Sequence, residues 1–272
     1  MRMLLKDGKM KVLTLSYDDG VVQDARLVEI MSKYGLKGTF NINSGMEFAE
    51  EYIRRIFRKT LSTEDAKSLY LNSGNEVAIH SLTHPHLEVL SEEEIIYEIT
   101  EDRRNIEKDY GVIAKGMAYP FGTYNETVVE ILKRCGIVYS RTVNSTYGFE
   151  FPENWLLLNP TCHHNCEKLI ELVEKFVETK YSFPKMFYLW GHSYEFDEND
   201  NWEVIEKFAE FVGNRDDIWY ATNMEIYEYV KAYNNLVVSI DRKIVHNSSS
   251  VDVWFLHQDK KYCARCGETI YL

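Results

Sequence analysis

Alternating strand-like and helix-like segments along most of this 272-residue chain limit the folds that it can adopt. Residues 12–17 form a largely apolar and β-branched run, which is typical of a buried strand. Residues 24–34 then carry apolar side chains at the i, i+3, i+4, i+7 spacing of a helix, and Gly35 follows directly. A repeat of this kind predicts a mostly parallel sheet whose strands are joined by helices. Further strands are expected at 37–42, 76–80, 115–119, 137–143, 186–190 and 218–221, and further helices at 91–110, 125–135, 167–180, 202–212 and after Thr222.

Such a sheet can close into a barrel or remain open with helices on both faces. No phosphate-binding glycine motif follows the first strand, which argues against the open, nucleotide-binding form. Clusters that contain polar residues instead recur where strands end, at Asp18 and Asp19 and around His80, Pro120 and His192. Because a (β/α) barrel builds its active site at that end of its strands, we predict an α/β fold, a distorted (β/α) barrel of about seven parallel strands spanning residues 1–235.

The sequence pattern changes after residue 235. Three β-like segments, at 236–240, 243–245 and 251–256, are separated by turn residues with no helical segment between them. A segment of roughly 35 residues rarely forms an independent core. We therefore expect residues 236–272 to form a small β extension packed on the barrel.

Charge and hydropathy narrow the choice of partners. The formal net charge of −12 at pH 7 argues against non-specific nucleic-acid binding, which needs a basic surface. No apolar stretch approaches the roughly 20 residues that cross a bilayer. The N-terminus also lacks the apolar core of a signal peptide. We expect a cytoplasmic protein with neither a nucleic-acid nor a membrane partner, whereas its oligomeric state does not follow from the sequence.

The five cysteines are expected to be reduced thiols, because their number is odd and no secretory signal accompanies them. As an alternative, two pairs offer the four ligands of a structural zinc site: Cys162 with Cys166, and Cys263 with Cys266. The two pairs are far apart in the sequence. His163 and His164, between the first two cysteines, could equally line a substrate cleft.

Two polar clusters contain the residue types that a metal-assisted hydrolase uses. Asp18 and Asp19 end the first strand, and burying adjacent ionised carboxylates costs several kcal/mol unless a cation or hydrogen bonds offset it. His80 and His84 follow another strand, four residues apart, so that both imidazoles can converge on one ion. Two histidines and one carboxylate leave a coordination position open for water, as in catalytic zinc sites. The alternative is that these histidines are ordinary polar residues of a loop.

Two more strand ends carry candidate functional groups. Residues 119–122 read Tyr-Pro-Phe-Gly, and residues 189–192 read Leu-Trp-Gly-His. The ordinary pKa of histidine, about 6.5, would let His192 protonate a leaving group at neutral pH. Alternatively, His192 is simply a hydrogen-bonded histidine at a strand end.

In order and spacing, these clusters resemble the signature blocks of the polysaccharide deacetylases, carbohydrate esterase family 4, which share the nodulation-protein (NodB) homology domain. Four segments carry the resemblance, with the sequences SYDDG at 16–20, HSLTH at 80–84, AYPFG at 118–122 and LWGH at 189–192. They lie in the family's order within residues 12–192. The resemblance implies a metal-dependent deacetylase whose partner is an acetylated sugar or oligosaccharide.

The resemblance also implies roles for individual residues. Asp19, His80 and His84 would bind a divalent metal, usually zinc. Asp18 would be the general base and His192 the general acid. Contacts with the oxyanion and the substrate would come from the backbone N–H of Phe121, from Leu189 beside the acetyl methyl group, and from Tyr119, Pro120 and Trp190.

The sequence departs from the family pattern in its third block. The arginine that holds the base aspartate in the family is replaced here by Ala118. Arg141, on the following predicted strand, is the candidate to support Asp18 in its place. The alternative is that Arg141 forms a surface salt bridge.

The fourth block is degraded as well, because residues 136–166 contain no aspartate. Trp155 lies in this region and is the candidate to form a wall of the site. The acidic partner of His192 is therefore open, and Glu195, three residues further on, or Asp197 could serve in this role. Both could instead be solvated acids of a loop.

The predicted reaction is hydrolysis of an N-acetyl group from an amino sugar or oligosaccharide. Three alternatives remain: hydrolysis of another C–N amide such as a cyclic ureide, an O-acetyl esterase, and a catalytically dead carbohydrate-binding module. Because binding alone needs neither a base nor an acid, the retention of Asp18 and His192 argues against the dead module. The apparent absence of a leader favours a soluble substrate over intact cell wall.

Overall fold

The computed structural model describes residues 1–51, 53 and 58–272. Its strands are β1 Arg2–Met3, β2 Lys11–Asp18, β3 Gly38–Ile42, β4 Glu76–Ile79, β5 Gly116–Ala118, β6 Tyr139–Arg141, β7 Cys162–His163, β8 Lys185–Gly191, β9 Ile218–Tyr220, β10 Val237–Val238, β11 Ile244–His246, β12 Val253–His257, β13 Lys260–Ala264 and β14 Thr269–Tyr271. Seven of them form a parallel sheet in the order β6-β5-β4-β3-β2-β8-β7, and β9 adds parallel to the first half of β2.

One extended segment closes the curled sheet into a distorted barrel. The N–H of Leu158 donates to the carbonyl of Ser140 in β6 at 3.0 Å. A few residues later, the N–H of Thr161 donates to the carbonyl of Tyr188 in β8 at 2.8 Å. This segment, which runs directly into the edge strand β7, therefore links the opposite edge strand β6 to β8. The predicted α/β fold, a distorted barrel of about seven parallel strands, is confirmed.

Strand β2 carries the first site residue into the barrel because its side chains alternate between two faces. The odd-numbered residues from 13 to 17 are apolar and pack into the main core with residues of the surrounding helices. The even-numbered residues face polar partners: Thr14 donates to Asn223 at 3.0 Å, and Ser16 accepts from Asn41 at 2.8 Å. Asp18 is the last even-numbered position of the strand, so the alternation places it among these polar groups.

The helices connect the strands, and their ends follow capping signals in the sequence. Glu92–Tyr110 begins with a capping box of Ser91 and Glu94, and Gly111 follows it in the left-handed conformation. Helices Thr63–Asn72 and Tyr194–Glu198 were not predicted. The other helices that the structure describes are Asp24–Lys33, Glu126–Arg134, Leu169–Glu178, Glu203–Val212 and Asn223–Asn234. Within the described ranges, no helix has the length and apolar character needed to cross a membrane.

The strands at the C-terminal end of the chain, together with β1 from its N-terminal end, form two small antiparallel sheets. Their strand orders are β1-β12-β13 and β10-β11-β14. The hydroxyl of Tyr229, in the last helix, donates to the carbonyl of Leu4 at 2.8 Å and accepts from the N–H of Trp254 at 3.0 Å. These bonds attach the β1-β12-β13 sheet to the last helix of the barrel. Because β1 pairs with β12, the division that we propose at residue 235 leaves one N-terminal strand with the smaller unit.

Candidate active site

Asp19, His80 and His84 meet where the barrel strands end, and their potential ligand atoms all lie within 4.8 Å of one another. All three side chains are buried. Asp19 and His84 have positive φ angles of 79° and 56°, which residues other than glycine rarely adopt. Strain of this kind persists only where the surrounding structure enforces it, and it clusters at functional sites. The structure thus places together the three residues that the sequence analysis grouped.

Hydrogen bonds set the orientation of His80. Its Nδ1 lies 2.8 Å from the carbonyl oxygen of Ala118, which can only accept, so Nδ1 carries the proton. Its Nε2 then presents a lone pair to the cluster, as a metal-binding imidazole requires. The backbone N–H of His80 donates to the buried carboxylate of Asp102 at 3.0 Å. Both partners fix the strand end from which the histidine projects.

The donor set fits a divalent metal ion. Asp19 Oδ1 is buried, and no hydrogen-bond donor in the described part of the chain reaches it. Burial raises the pKa of Asp19, because it disfavours the charged carboxylate. Burial, together with His80, lowers the pKa of His84 to about 2, so this imidazole is neutral. Two imidazoles and a carboxylate oxygen that lacks a hydrogen-bond donor are the ligand types found in catalytic zinc sites.

Asp18 lies beside this cluster in a buried ion pair with Arg141, whose side chain is 1% exposed. Its other oxygen accepts from Asn41 Nδ2 at 2.8 Å. Burial alone would raise the pKa of Asp18, but Arg141 and the neighbouring histidines hold it below its ordinary value. The guanidinium carbon of Arg141 also lies 4.3 Å from the ring centroid of Trp190. The structure thus places Arg141 on Asp18 and not in a surface salt bridge.

His192 approaches the same aspartate, with its Nε2 3.8 Å from Asp18 Oδ2. Its Nδ1 lies 2.7 Å from Glu195 Oε1. Burial alone would lower the pKa of His192, but Glu195 and the two aspartates raise it to about 9. His192 therefore holds a proton at neutral pH. The alternative partner, Asp197, instead accepts from Trp202 Nε1 at 2.7 Å.

A cavity of about 240 Å³ is lined by both aspartates and three of the histidines, namely Asp18, Asp19, His80, His84 and His192. Tyr119, Phe121 and Trp190 form part of its wall, as the sequence analysis expected. Phe121 has a φ of 55°, and its ring stacks on His86 with a centroid distance of 4.0 Å. The remaining wall residues were not predicted: Arg58, Gly122, Val143 and Tyr194.

Three predicted substrate contacts do not line this cavity. Leu189 is wholly buried in the main core, because alternation along β8 turns Trp190, and not Leu189, toward the site. Trp155 packs edge-on against Tyr227, with a centroid distance of 5.2 Å, and lines a different surface depression. Pro120 is buried and is not among the residues that line the cavity.

The prediction that His163 and His164 line the substrate cleft also needs correction. The side chain of His164 is 0% exposed, and neither histidine is among the cavity-lining residues. Both Nε2 atoms lie close to Glu195 Oε2, at 3.4 Å for His163 and 3.1 Å for His164. All five cysteines are free thiols. Among the residues that the structure describes, no cysteine belongs to a group of three or more potential ligands, so the alternative zinc site gains no support.

Two supporting residues were missed although one of them had a signal in the sequence. Asn41 is a polar residue near the end of an otherwise apolar strand, in phase with residues that face the barrel interior. Asp102 lies within the helix Glu92–Tyr110, where its pattern is that of any helical acid. Burial raises the pKa of Asp102 to about 7 despite hydrogen bonds from two backbone N–H groups.

Comparison with known proteins agrees with this fold. Residues 6–140 match the sequence profile of the polysaccharide deacetylase family. A solved protein from Mycobacterium smegmatis, provisionally assigned as a polysaccharide deacetylase, is 18% identical with a TM-score of 0.61, over 86% of this chain and 95% of its own. The family 4 carbohydrate esterase of Streptomyces lividans, solved with acetate, is 15% identical with a TM-score of 0.50, over 77% of this chain and 91% of its own. These similarities show a shared fold.

The Streptococcus pyogenes deacetylase PplD, solved in complex with acetate, is 24% identical over 53% of this chain, with a TM-score of 0.46. The match spans 61% of that protein. No curated protein matches this chain in sequence.

Proposed function

Because this chain belongs to the polysaccharide deacetylase family, we propose that it is a metal-dependent hydrolase that removes an N-acetyl group from an amino sugar or a short oligosaccharide. The observation that carries this proposal is the buried cluster of Asp19, His80 and His84, with Asp18 and His192 directly beside it. A candidate ligand set, base and acid thus share one cavity. Such a combination is the arrangement that metal-assisted hydrolysis requires.

Asp19, His80 and His84 would hold the metal, which we propose to be zinc. When bound, the metal would polarise the acetyl carbonyl and lower the pKa of water toward 7. Asp18 stays ionised because Arg141 faces it, so it is free to accept a proton from the attacking water.

His192 supplies the second proton transfer. Its Nδ1–H is directed to Glu195, which leaves Nε2 to donate a proton to the departing nitrogen. The backbone N–H of Phe121, at the cavity wall, would bind the developing oxyanion, and one such donor is typically worth about 3–4 kcal/mol. An amide nitrogen leaves poorly unless it is protonated, whereas an ester oxygen depends less on an acid. A histidine held protonated at neutral pH therefore favours the amide over the O-acetyl ester.

The test measures acetate release from N-acetylated chito-oligosaccharides together with the metal content of the purified protein. O-acetylated xylo-oligosaccharides and a cyclic ureide serve as comparison substrates and would reveal the esterase or the ureide hydrolase. We expect Asp18→Asn to keep the metal and to lose at least about 100-fold in rate, because it lacks the base. Full activity of this variant would exclude the base assignment. A metal-free, inactive wild type would favour the carbohydrate-binding module.

A further inference from the structure

A second group of polar side chains lies behind His192, outside the cavity. The potential ligand atoms of His163, His164 and Glu195 lie within 4.8 Å of one another, which would also suit a metal ion. The alternative is that both histidines donate hydrogen bonds to the carboxylate. The two arrangements require opposite protonation of the same ring nitrogens, so the neighbouring hydrogen bonds decide between them.

The environment of His163 excludes its use as a metal ligand. The backbone N–H of Asn165 donates to His163 Nδ1 at 3.1 Å, so this nitrogen holds the lone pair. In a neutral imidazole the proton is then on Nε2, which is the atom that faces Glu195 Oε2 at 3.4 Å. A protonated nitrogen cannot bind a metal, but it can donate to a carboxylate. His163 is therefore a polar neighbour of the carboxylate and not a metal ligand.

His164 is held more tightly than its partner. Its ring stacks between Tyr17 and Phe196, with centroid distances of 5.7 Å and 4.2 Å. A Cβ on Gly191 would lie 2.0 Å from His164 Nδ1, so only glycine leaves room for this imidazole. Its Nε2 lies 3.1 Å from Glu195 Oε2. The packing thus fixes the ring with Nε2 in close contact with the carboxylate, although this nitrogen is not aligned with a hydrogen-bond partner.

We propose that His164, helped by His163 and Asn165, is a positioning residue that fixes Glu195 and through it His192. This inference rests on the proposed function of His192 as the acid. One oxygen of Glu195 accepts from Asn165 Nδ2 at 2.7 Å and faces both histidines, while the other lies 2.7 Å from His192 Nδ1. A carboxylate with partners on both oxygens cannot rotate without losing several of them. Glu195 therefore keeps the proton of His192 on Nδ1 and directs its Nε2 toward the cavity.

The neighbouring residue gives His192 a second anchor. The hydroxyl of Ser193 donates to Asp24 Oδ1 at 2.5 Å, and Asp24 Oδ2 accepts from Tyr70 at 2.6 Å. The backbone on the C-terminal side of His192 is thereby attached to the helix Asp24–Lys33. The ring, in contrast, depends on Glu195. His164 should therefore affect the ring orientation and not the course of the chain.

Two substitutions of His164 separate its polar contact with Glu195 from its packing between Tyr17 and Phe196. His164→Phe keeps an aromatic ring between Tyr17 and Phe196 but removes the N–H, whereas His164→Gln keeps an N–H donor and gives up the stacking. At metal sites, loss of a polar residue that orients a functional imidazole or carboxylate lowers activity on the order of 10- to 100-fold. We expect His164→Phe to lower kcat by about 10-fold, with KM and metal content unchanged, and His164→Gln to keep most of the activity.

A double-substitution cycle distinguishes positioning from a merely structural role. Because His164 acts through Glu195, His164→Phe should cause no further loss of kcat in the Glu195→Gln background. An additive loss in that background, or an unchanged kcat for His164→Phe alone, would overturn the proposal. Zinc titration of the wild type provides a third check. If the wild type binds a second zinc ion per chain and His164→Phe does not, the three residues form a metal site instead.

An NMR measurement tests the proposal even if the wild type releases no acetate. The Nδ1 proton of His192 should give a slowly exchanging signal, assigned by its loss in His192→Gln. We expect this signal to be lost in His164→Phe and retained in His164→Gln. A signal that persists in His164→Phe would contradict the positioning role. Absence of acetate release from a wild type that shows the signal would reject the proposed reaction and leave the positioning role standing.

Discussion

The buried pair of Arg141 and Asp18 gives the most demanding test of the electrostatics of the site. Arg141→Met keeps a long side chain in the same space but removes its charge. Breaking a buried ion pair by removing one partner typically costs about 3–5 kcal/mol. Asn41 still donates to Asp18 at 2.8 Å, and two histidine nitrogens lie 3.8 Å from its Oδ2. We therefore expect the lower limit, a loss of about 3 kcal/mol in the free energy of unfolding at pH 7.

The size of this loss should depend on pH. In the wild type the folded pKa of Asp18 lies below its unfolded value, so the stabilisation is complete above the unfolded pKa and disappears as the pH falls through the folded pKa. In Arg141→Met, burial is no longer opposed by the guanidinium, so the pKa of Asp18 rises. The ionised carboxylate then destabilises the fold at neutral pH. Protonation of Asp18 at lower pH removes this destabilisation. The difference between variant and wild type should shrink as the pH approaches about 4.

Urea unfolding of metal-free protein at neutral and acidic pH measures both effects. The matched control is the double variant Asp18→Asn with Arg141→Met, which removes both charges and should regain most of the lost stability. Equal stability of Arg141→Met and the wild type at pH 7 would refute the reasoning. A loss that stays constant with pH would show that it comes from packing against Trp190 and not from the charge.

Two further predictions concern the metal and the acid. His84→Ala removes one of three ligands, so metal analysis should find only traces, and a chelator should no longer shift its thermal unfolding. In the wild type, chelation should lower the free energy of unfolding by about 2.7 kcal/mol if free metal had been present at about 100 times its dissociation constant. Glu195→Gln removes a group that raises the pKa of His192, so the alkaline limb of the pH–rate profile should move to lower pH. An unchanged limb would argue that His192 is not the acid.

The sequence indicated which residues share the candidate site wherever a candidate residue ends a strand. Asp18, His80 and His192 each follow an apolar run, and parallel strands bring such ends together at one edge. Local chemistry also predicted the capping boxes and the glycine after the helix Glu92–Tyr110. In these cases the decisive interactions lie within a few residues of one another along the chain.

The errors arose where long-range packing decides which way a side chain points. Leu189 and Trp190 are both apolar, and only the register of β8 against β2 shows which of them faces the cavity. Trp155 follows an irregular segment with no periodic pattern, so its direction was open. His164 looked like a polar cleft residue, yet its burial depends on the glycine at 191, which is distant in sequence.

The position of the buried arginine provides a last test of how the site is built. Ala118 and Arg141 are direct partners in the neighbouring parallel strands β5 and β6, so their side chains project to the same face of the sheet. The family that this chain resembles has its arginine at the position of Ala118. An arginine on either strand should therefore reach Asp18.

We expect Ala118→Arg to restore part of the stability and activity that Arg141→Ala loses, because it returns a positive charge to the buried carboxylate of Asp18. Ala118→Arg alone is the matched control. It should destabilise the protein, because Ala118 is 0% exposed and two guanidinium groups would then compete for one carboxylate. Urea unfolding and acetate release check both expectations. If the combined variant is no better than Arg141→Ala, a shared face is not sufficient, and the support of Asp18 depends on the particular path of Arg141 beneath Trp190.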